Sequence, residues 1–197
     1  MAELLLANYG ASGITFSSRD DTIYSSAPGS AVEYVRKNTA QYYSIEVTTI
    51  LLNKEKYRAL TAFINALRGR FGTFTIKLPT ESTPTGSNLT SITTTAGSSG
   101  TTLNVSCLSS AVINPGDKFT LPSTGDSKVY EVLSDDTGSG TSRTLTLTHP
   151  LRVNPSSGVT VQFNDILFTM RLTDDVIQYV VRPPELYQVS FSAREAL

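Results

Sequence analysis

The chain has 197 residues, of which 39% are hydrophobic and 17% charged, and its formal net charge is −1. This length suits one large or two small domains, and the balanced charge gives no positive field for nucleic acid or an acidic bilayer. No run of about 18 apolar residues predicts a membrane span. A single cysteine excludes an internal disulfide, and a single histidine argues against a His-rich metal site. The first residues lack the basic and apolar regions of a signal peptide.

The first part of the chain has a strand–helix–strand pattern. The alternation of apolar and polar residues over 43–51 predicts a half-buried strand. Asn53 is a capping residue, and the apolar residues after it recur at the three- and four-residue steps of a helix. This stripe consists of Tyr57, Leu60, Ile64 and Leu67. Gly69 or Gly72 provides a left-handed exit from the helix, and a second strand is predicted over 74–78.

The middle of the chain has a different composition. Between residues 80 and 110, 17 of 31 residues are Ser or Thr, and residues 79–163 contain only three of the 17 aromatic residues. Short strands are predicted there, separated by turns such as Asn114–Asp117. Their ranges are 103–107, 118–121, 128–133, 144–148 and 159–163. Five short strands in about 65 residues favour a small antiparallel barrel, for which the OB-fold is the common five-stranded type, with a sandwich as the alternative.

Strand periodicity returns over residues 166–172 and 187–193, and these strands are expected to complete the sheet begun before residue 79. The predicted fold class is therefore mainly β (α+β). Residues 1–79 and 164–197 are expected to form a barrel- or sandwich-like sheet with one helix, and residues 80–163 an inserted five-stranded OB-type barrel.

Few ionisable residues could carry chemistry. The aspartate pairs at 20–21, 135–136 and 174–175 are interpreted as turn residues, with a weak cation site considered only at 135–136. His149 is interpreted as a surface or half-buried side chain, and Cys107 as a small core residue. The sequence contains no nucleophile elbow, P-loop, dinucleotide-binding or zincin motif. We therefore predict no catalytic residue, no metal ligand and no cofactor, and hence no enzyme.

The predicted barrel raises one binding hypothesis, because OB-folds bind oligonucleotides or oligosaccharides. Binding of single-stranded nucleic acid requires a basic groove with stacking aromatic residues, whereas residues 79–163 contain four Lys or Arg and six Asp or Glu. A glycan needs less charge, and Tyr130 is the candidate contact. Core packing is the alternative interpretation for Tyr130, Phe119 and Phe163.

Four segments occur in a recognisable order. They are Gln41–Ile45 through the helix to Phe74–Pro79, Pro115–Phe119 followed by Lys128–Val132, Asn164–Phe168 through Leu172, and Ser190–Leu197. In order and spacing they resemble the distal tail proteins of long-tailed bacteriophages, most closely the short type of T-five-like siphophages. The resemblance covers most of residues 38–197, and the Ser/Thr-rich stretch 80–110 departs from the family pattern.

The resemblance implies a virion protein at the distal end of the tail, assembled in the host cytoplasm. Residues 1–79 and 164–197 would form a hexameric ring, with the insertion 80–163 on its periphery. Its partners would be further copies of the chain, the tail tube protein and the tail-tip hub, and DNA would pass through the ring without specific binding. Sheet edges could pair between subunits, with the strands 41–51, 164–173 and 186–196 as candidates.

The sequence is also compatible with other functions. One is a carbohydrate-binding tail module that contacts a host-surface glycan through the OB-like insertion. Another is a tail-associated hydrolase, which the single histidine and the lack of motifs disfavour. Within the structural class, the alternative is a tail tube or tube-terminator protein.

Overall fold

The structure is a computed structural model that describes residues 2–4, 6–26, 33–134 and 140–197. The predicted fold class is confirmed: the chain is mainly β, with one long helix and a five-stranded antiparallel sheet curled into a half-barrel. No helix in these ranges is long and apolar enough to cross a membrane. In chain order the elements are β1 Ala2–Leu4, α1 Leu6–Tyr9, β2 Ala11–Ser26, β3 Glu33–Thr49, α2 Lys54–Ala66, β4 Phe74–Ile76, β5 Thr93–Thr94, β6 Thr102–Ser106, β7 Lys118–Phe119, a 3-10 turn Pro122–Thr124, β8 Tyr130–Ser134, β9 Ser142–Leu147, β10 Phe168–Leu172, β11 Gln178–Arg182 and β12 Leu186–Glu195.

Seven strands form the larger sheet, in the order β1-β4-β10-β12-β3-β2, with β11 also beside β12. The pair β1–β4 is parallel, and the other pairs are antiparallel. Strand β12 is long enough for two neighbours on one side, because its C-terminal half pairs with β10 and its N-terminal half with β11. The sheet therefore combines strands from residues 2–76 with strands from residues 168–195.

Helix α2 contributes to the core of the larger sheet. Its predicted cap is confirmed, because the Asn53 side chain accepts a hydrogen bond from the backbone N–H of Lys56 at 3.0 Å. The predicted stripe is half-buried at Tyr57 and buried at Leu60, Ile64 and Leu67. The left-handed exit begins at Arg68, with a φ of +53°, and continues at the predicted Gly69, with a φ of +63°.

The hairpin β2/β3 is longer than the sheet to which it belongs. Strand β3 pairs with β12 only over Ser44–Thr48, and its N-terminal half pairs with β2 alone. We call its distal part, Thr22–Ser26 with Glu33–Lys37, the arm. The residue pattern predicts a strand from residue 43 but neither β2 nor the arm. The assignment of Asp20 and Asp21 to a turn is wrong, because both lie in β2, where the register with β3 shifts between Asp20 and Thr22.

The smaller sheet has the order β5-β6-β9-β8-β7 and is antiparallel throughout. Its hydrophobic core is separate from that of the larger sheet and consists of residues from 89 to 163. The predicted strand 159–163 is wrong, and the fifth strand is β5. Thr160 bridges to Thr93 and Gln162 to Thr120, so this segment reaches both ends of the sheet and pairs at single residues.

Asp117 organises the start of the Ser/Thr-rich stretch. Its carboxylate, which is buried, accepts hydrogen bonds from the N–H groups of Thr85, Gly86 and Asn114 and from the Thr85 hydroxyl, at 2.7 to 3.1 Å. The predicted turn at Asn114–Asp117 is confirmed by the bond from Asp117 N–H to the Asn114 carbonyl and by the positive φ of Gly116. The turn thereby anchors a segment thirty residues earlier in the chain.

Candidate assembly surface

Four antiparallel strands of the larger sheet are joined in the order β2-β3-β12-β11. They are staggered, because β3 pairs with β12 over Ser190–Arg194 and β11 pairs with β12 over Leu186–Ser190. Within the described ranges, β2 pairs only with β3 and β11 only with β12, and the short β1 at the far end of the sheet pairs only with β4. Strands β2 and β11 therefore each have one open edge, and the open edges lie on opposite sides of the four-stranded unit. Open edges present unpaired N–H and C=O groups, which can pair with a strand of another chain.

Strand β11 combines an open edge with exposed apolar side chains. All five of its residues are exposed, and Tyr179, Val180 and Val181 are each more than half exposed. Because successive side chains point to opposite faces, both faces of this ribbon are apolar. Soluble proteins commonly protect such edges with charges or a covering element, and here the one charge on β11 is Arg182 at its end. An edge of this kind is suited to association.

The arm also exposes apolar side chains on both faces. Ile23, Tyr24, Tyr34 and Val35 are 58 to 67% exposed. Tyr24 lies opposite Val35 on one face, whereas Ile23, its neighbour in the chain, points to the other face. Clusters of exposed apolar residues mark interaction sites in soluble proteins.

The face of β3 and β12 opposite their apolar core is polar where the two strands pair. Thr48 lies opposite Ser190, Glu46 opposite Ser192, and Ser44 opposite Arg194. These six side chains are half-buried or exposed, whereas the residues between them on both strands are buried. The hydroxyls of Thr48 and Ser190 lie 3.2 Å apart. This surface carries charges of both signs among hydroxyl groups.

A buried ion pair joins the larger sheet to the smaller one. The Lys128 Nζ lies 3.9 Å from a Glu195 carboxylate oxygen, and both side chains are at least 96% buried. Glu195 also accepts hydrogen bonds from the N–H groups of Val129, at 2.7 Å, and Tyr43, at 3.2 Å. Burial is the main cause that lowers the pKa of Lys128 and raises the pKa of Glu195, and the attraction between the two groups opposes both shifts. The junction between the sheets therefore contains a buried pair of ionisable side chains.

A second polar group flanks this ion pair. The Lys118 Nζ lies 2.7 Å from Glu81 and 3.4 Å from Glu131, and 5.5 Å from the centroid of the Phe16 ring. The Tyr43 hydroxyl donates a hydrogen bond to Glu131 at 3.0 Å. Burial raises the pKa of Tyr43, so its hydroxyl stays protonated and can donate. Residues from both sheets share this group.

Tyr130, the candidate glycan contact, lies inside the core of the smaller sheet. It is 2% exposed, and its ring stacks on Phe119 with centroids 5.6 Å apart. Its hydroxyl donates to Asp126 and accepts from the N–H of Arg152. No ring face is open to a sugar, so this burial favours the core interpretation. Phe119 and Phe163 are fully buried in the same core.

The other residues singled out in the sequence have structural environments. His149 is half-buried, as predicted, and its ring contacts Asp20. Cys107 is buried, as predicted for a core residue. Asp174 and Asp175 lie in the connection after β10, whereas 135–136 lie outside the described residues. Over the described ranges, no group of three His, Cys, Asp or Glu side chains is placed to hold a metal ion.

Comparison with known proteins does not identify a function, so the functional interpretation depends on the surfaces described above. Neither a protein-family model nor a curated protein sequence matches the chain. The features that call for a function are the open edges of β2 and β11, the apolar residues of β11 and the arm, and the polar face of β3 and β12. The strands that the sequence offered as edge candidates, 41–51, 164–173 and 186–196, correspond to β3, β10 and β12, which have neighbours on both sides, so that expectation is wrong. Sequence reasoning missed β11 and the arm, although the pairs Ile23-Tyr24 and Tyr34-Val35 on either side of Pro28-Gly29 follow a hairpin pattern.

Proposed function

We propose that this protein is a structural component of a bacteriophage virion, a distal tail adaptor that forms a hexameric ring between the tail tube and the receptor-binding tip. The observation that carries the proposal is the four-stranded unit β2-β3-β12-β11 with an open edge on each side. Each subunit of a ring contacts its two neighbours through two different surfaces. The edges of β2 and β11 are two such surfaces. The resemblance of the four sequence segments to distal tail proteins supports a place in a phage tail.

Strand direction favours pairing between these two edges. The four strands alternate in direction, so β2 and β11 are antiparallel within one chain. A rotation about an axis roughly along the strands does not change their direction. Strand β11 of one copy would therefore meet β2 of the next copy in the antiparallel orientation, which pairs slightly more stably than the parallel one.

A ring built in this way would have a continuous inner sheet. Six copies of four strands make about 24 strands, and a spacing of about 4.8 Å gives a circumference of about 115 Å and a diameter of about 37 Å for untilted strands. With the apolar face covered by α2, the polar face of Glu46, Ser192 and Arg194 would line the channel. A wall with mixed charges on a chain of net charge −1 would let DNA pass without holding its phosphates. The role we propose involves no turnover and no cofactor.

The edge variant Val180→Lys tests the ring. Lysine on an edge strand opposes strand addition, so we expect at least a ten-fold weaker association, equivalent to about 1.4 kcal/mol. Mass photometry of the purified chain, alone and with the tail tube protein of the same phage, measures the fraction of hexamers. Electron micrographs of the same samples show whether the particles are rings.

The matched control is Val153→Lys, because Val153 is 46% exposed but belongs to the insertion. It should leave ring formation unchanged. Equal effects of the two variants would contradict the edge-to-edge interface. If no hexamer forms under any condition, or if an antibody to a carboxyl-terminal tag marks the whole tail tube instead of its distal end, the adaptor function itself is wrong.

A further inference from the structure

The arm has a point of weakness at its root. The ladder between β2 and β3 is interrupted between Asp20 and Thr22, where the register shifts. Such irregularities bend a hairpin and change its direction. Beyond this point the arm is a two-stranded ribbon, and isolated two-stranded ribbons are marginally stable in water. Its direction therefore needs support from outside the ribbon.

The smaller sheet contacts both strands of the hairpin at this root. Asp20 and Gln41 are cross-strand partners, and they form the last regular pair before the register shift. His149 follows strand β9 of the smaller sheet. Its Nε2 lies 2.8 and 2.9 Å from the two carboxylate oxygens of Asp20. Lys128 donates from Nζ to the backbone carbonyl and to the side-chain Oε1 of Gln41, both at 2.8 Å. One strand is thus held by His149 and the other by Lys128.

Both side chains are themselves held in place. The Nδ1 of His149 lies 3.0 Å from the Thr148 hydroxyl, and the Thr148 N–H donates to the Glu131 carbonyl of β8. Lys128 is buried beside Glu195, which in turn accepts the N–H groups of Val129 and Tyr43. These contacts leave the two contacting groups little freedom to follow a moving arm.

We infer that the segment 80–163 acts as a brace that fixes the direction of the arm by holding the Asp20–Gln41 pair. This gives the smaller sheet a mechanical function that requires no ligand. The inference goes beyond the proposed ring, because it concerns the geometry of a single chain and can be tested without assembly.

Hydrogen–deuterium exchange of the arm tests the brace, with Asp20→Ala as the main variant and Asp21→Ala as its matched control. Asp21 is the next residue on the same strand and bonds Arg19 instead of the smaller sheet. In Asp20→Ala we expect the amides of Thr22–Ser26 and Glu33–Lys37 to exchange about five-fold faster, the change expected from losing one net hydrogen bond. His149→Ala should have the same effect, and Asp21→Ala should leave the rates unchanged.

Electron spin resonance measures the direction of the arm. Spin labels on Ser25→Cys and Ser157→Cys, in a Cys107→Ala background, report the distance from the arm to the smaller sheet. A single narrow distance distribution is expected in the parent chain and after Asp21→Ala, and a broad one after Asp20→Ala or His149→Ala. Circular dichroism checks that each variant is folded.

Equal exchange rates and equal distance distributions in Asp20→Ala and Asp21→Ala would overturn the brace. A broad distribution in the parent chain would overturn it as well. Should His149→Ala fail to fold, the Asp20→Ala comparison still decides, because Asp20 is a partly exposed side chain at the junction.

Discussion

The two sheets of this protein differ in how many large apolar side chains they expose. Of the 17 large apolar side chains that are exposed in the described ranges, 13 lie outside residues 80–163. The smaller sheet encloses Phe119, Tyr130 and Phe163, and the extended segment around Thr160 and Gln162 bridges its two ends. The larger sheet instead leaves β2 and β11 open and exposes apolar residues along β11 and the arm.

This difference indicates that the two sheets have different roles, since within the described residues only the larger one offers surfaces for association. A sheet whose ends are bridged and whose aromatic residues are internal is complete within one chain. A sheet with exposed edge strands such as β2 and β11 has backbone groups that bond to water in the free chain and can pair with a strand of another chain. The exposed edges are therefore features of the larger sheet that association would explain, whereas the smaller sheet serves the larger one through the junction at Lys128, Glu195 and His149.

The largest effect is expected at the junction, where Lys128→Met would show whether the two sheets depend on each other. The variant leaves the buried Glu195 carboxylate without its cation, and breaking a buried pair in this way costs about 4 kcal/mol of unfolding free energy. Urea unfolding followed by circular dichroism measures the loss. The double variant Lys128→Met/Glu195→Gln should be more stable than the single variant, because it removes the unpaired charge.

Lys56→Met is the control for this experiment, since Lys56 is exposed on α2 and surface substitutions change stability by less than about 0.5 kcal/mol. A loss of the same size in Lys56→Met and Lys128→Met would contradict the importance of the junction pair.

A smaller effect is expected within the smaller sheet alone. Asp117→Ala removes the buried acceptor of four hydrogen bonds from the partly buried groups of Thr85, Gly86 and Asn114, which costs about 2 kcal/mol. Hydrogen exchange should accelerate around Thr85–Gly86, and the amides in the middle of α2 should keep their protection. The exposed Asp174→Ala is the matched control and should change neither. Faster exchange throughout α2 would show that the sheets unfold together.

The smallest effect is expected in the larger sheet, at the cap of α2. Asn53→Ala removes the hydrogen bond to the Lys56 N–H and should lower the unfolding free energy by about 1 kcal/mol, measurable by thermal denaturation. Asn53→Asp keeps a capping acceptor and should retain the stability of the parent chain. If Asn53→Asp loses as much as Asn53→Ala, the cap does not stabilise the helix.

Several elements could be predicted because they depend on close neighbours in sequence. Helix α2 was predicted from its stripe and cap, and β6, β8 and β9 from short alternations between turns. The segment 159–163 shows the limit of this approach. Its Val161 and Phe163 are buried, as the alternation predicts, but whether an alternating segment joins a ladder depends on partners that alternation does not specify.

The candidate surface was harder to predict. Arm and β11 sequences expose apolar residues on both faces, so they lack the regular alternation of a half-buried strand. The contact between His149 and Asp20 was even harder to predict, because the two residues are 129 positions apart in the chain. No local pattern relates two such positions. The Tyr130 hypothesis had the same weakness, since a strand pattern does not reveal which of its faces is covered.

Residue spacing was sufficient for the mainly β class, the capped helix and the turn at Asn114–Asp117, because each depends on interactions within a few residues. Strand neighbours, open edges and the contacts that hold the arm were decided by the folded arrangement alone. The reason is that β-pairing and burial join segments from distant parts of the chain. Strands β2 and β11 become the outer strands of one unit only because β12 pairs with β3 on one side and with β11 on the other.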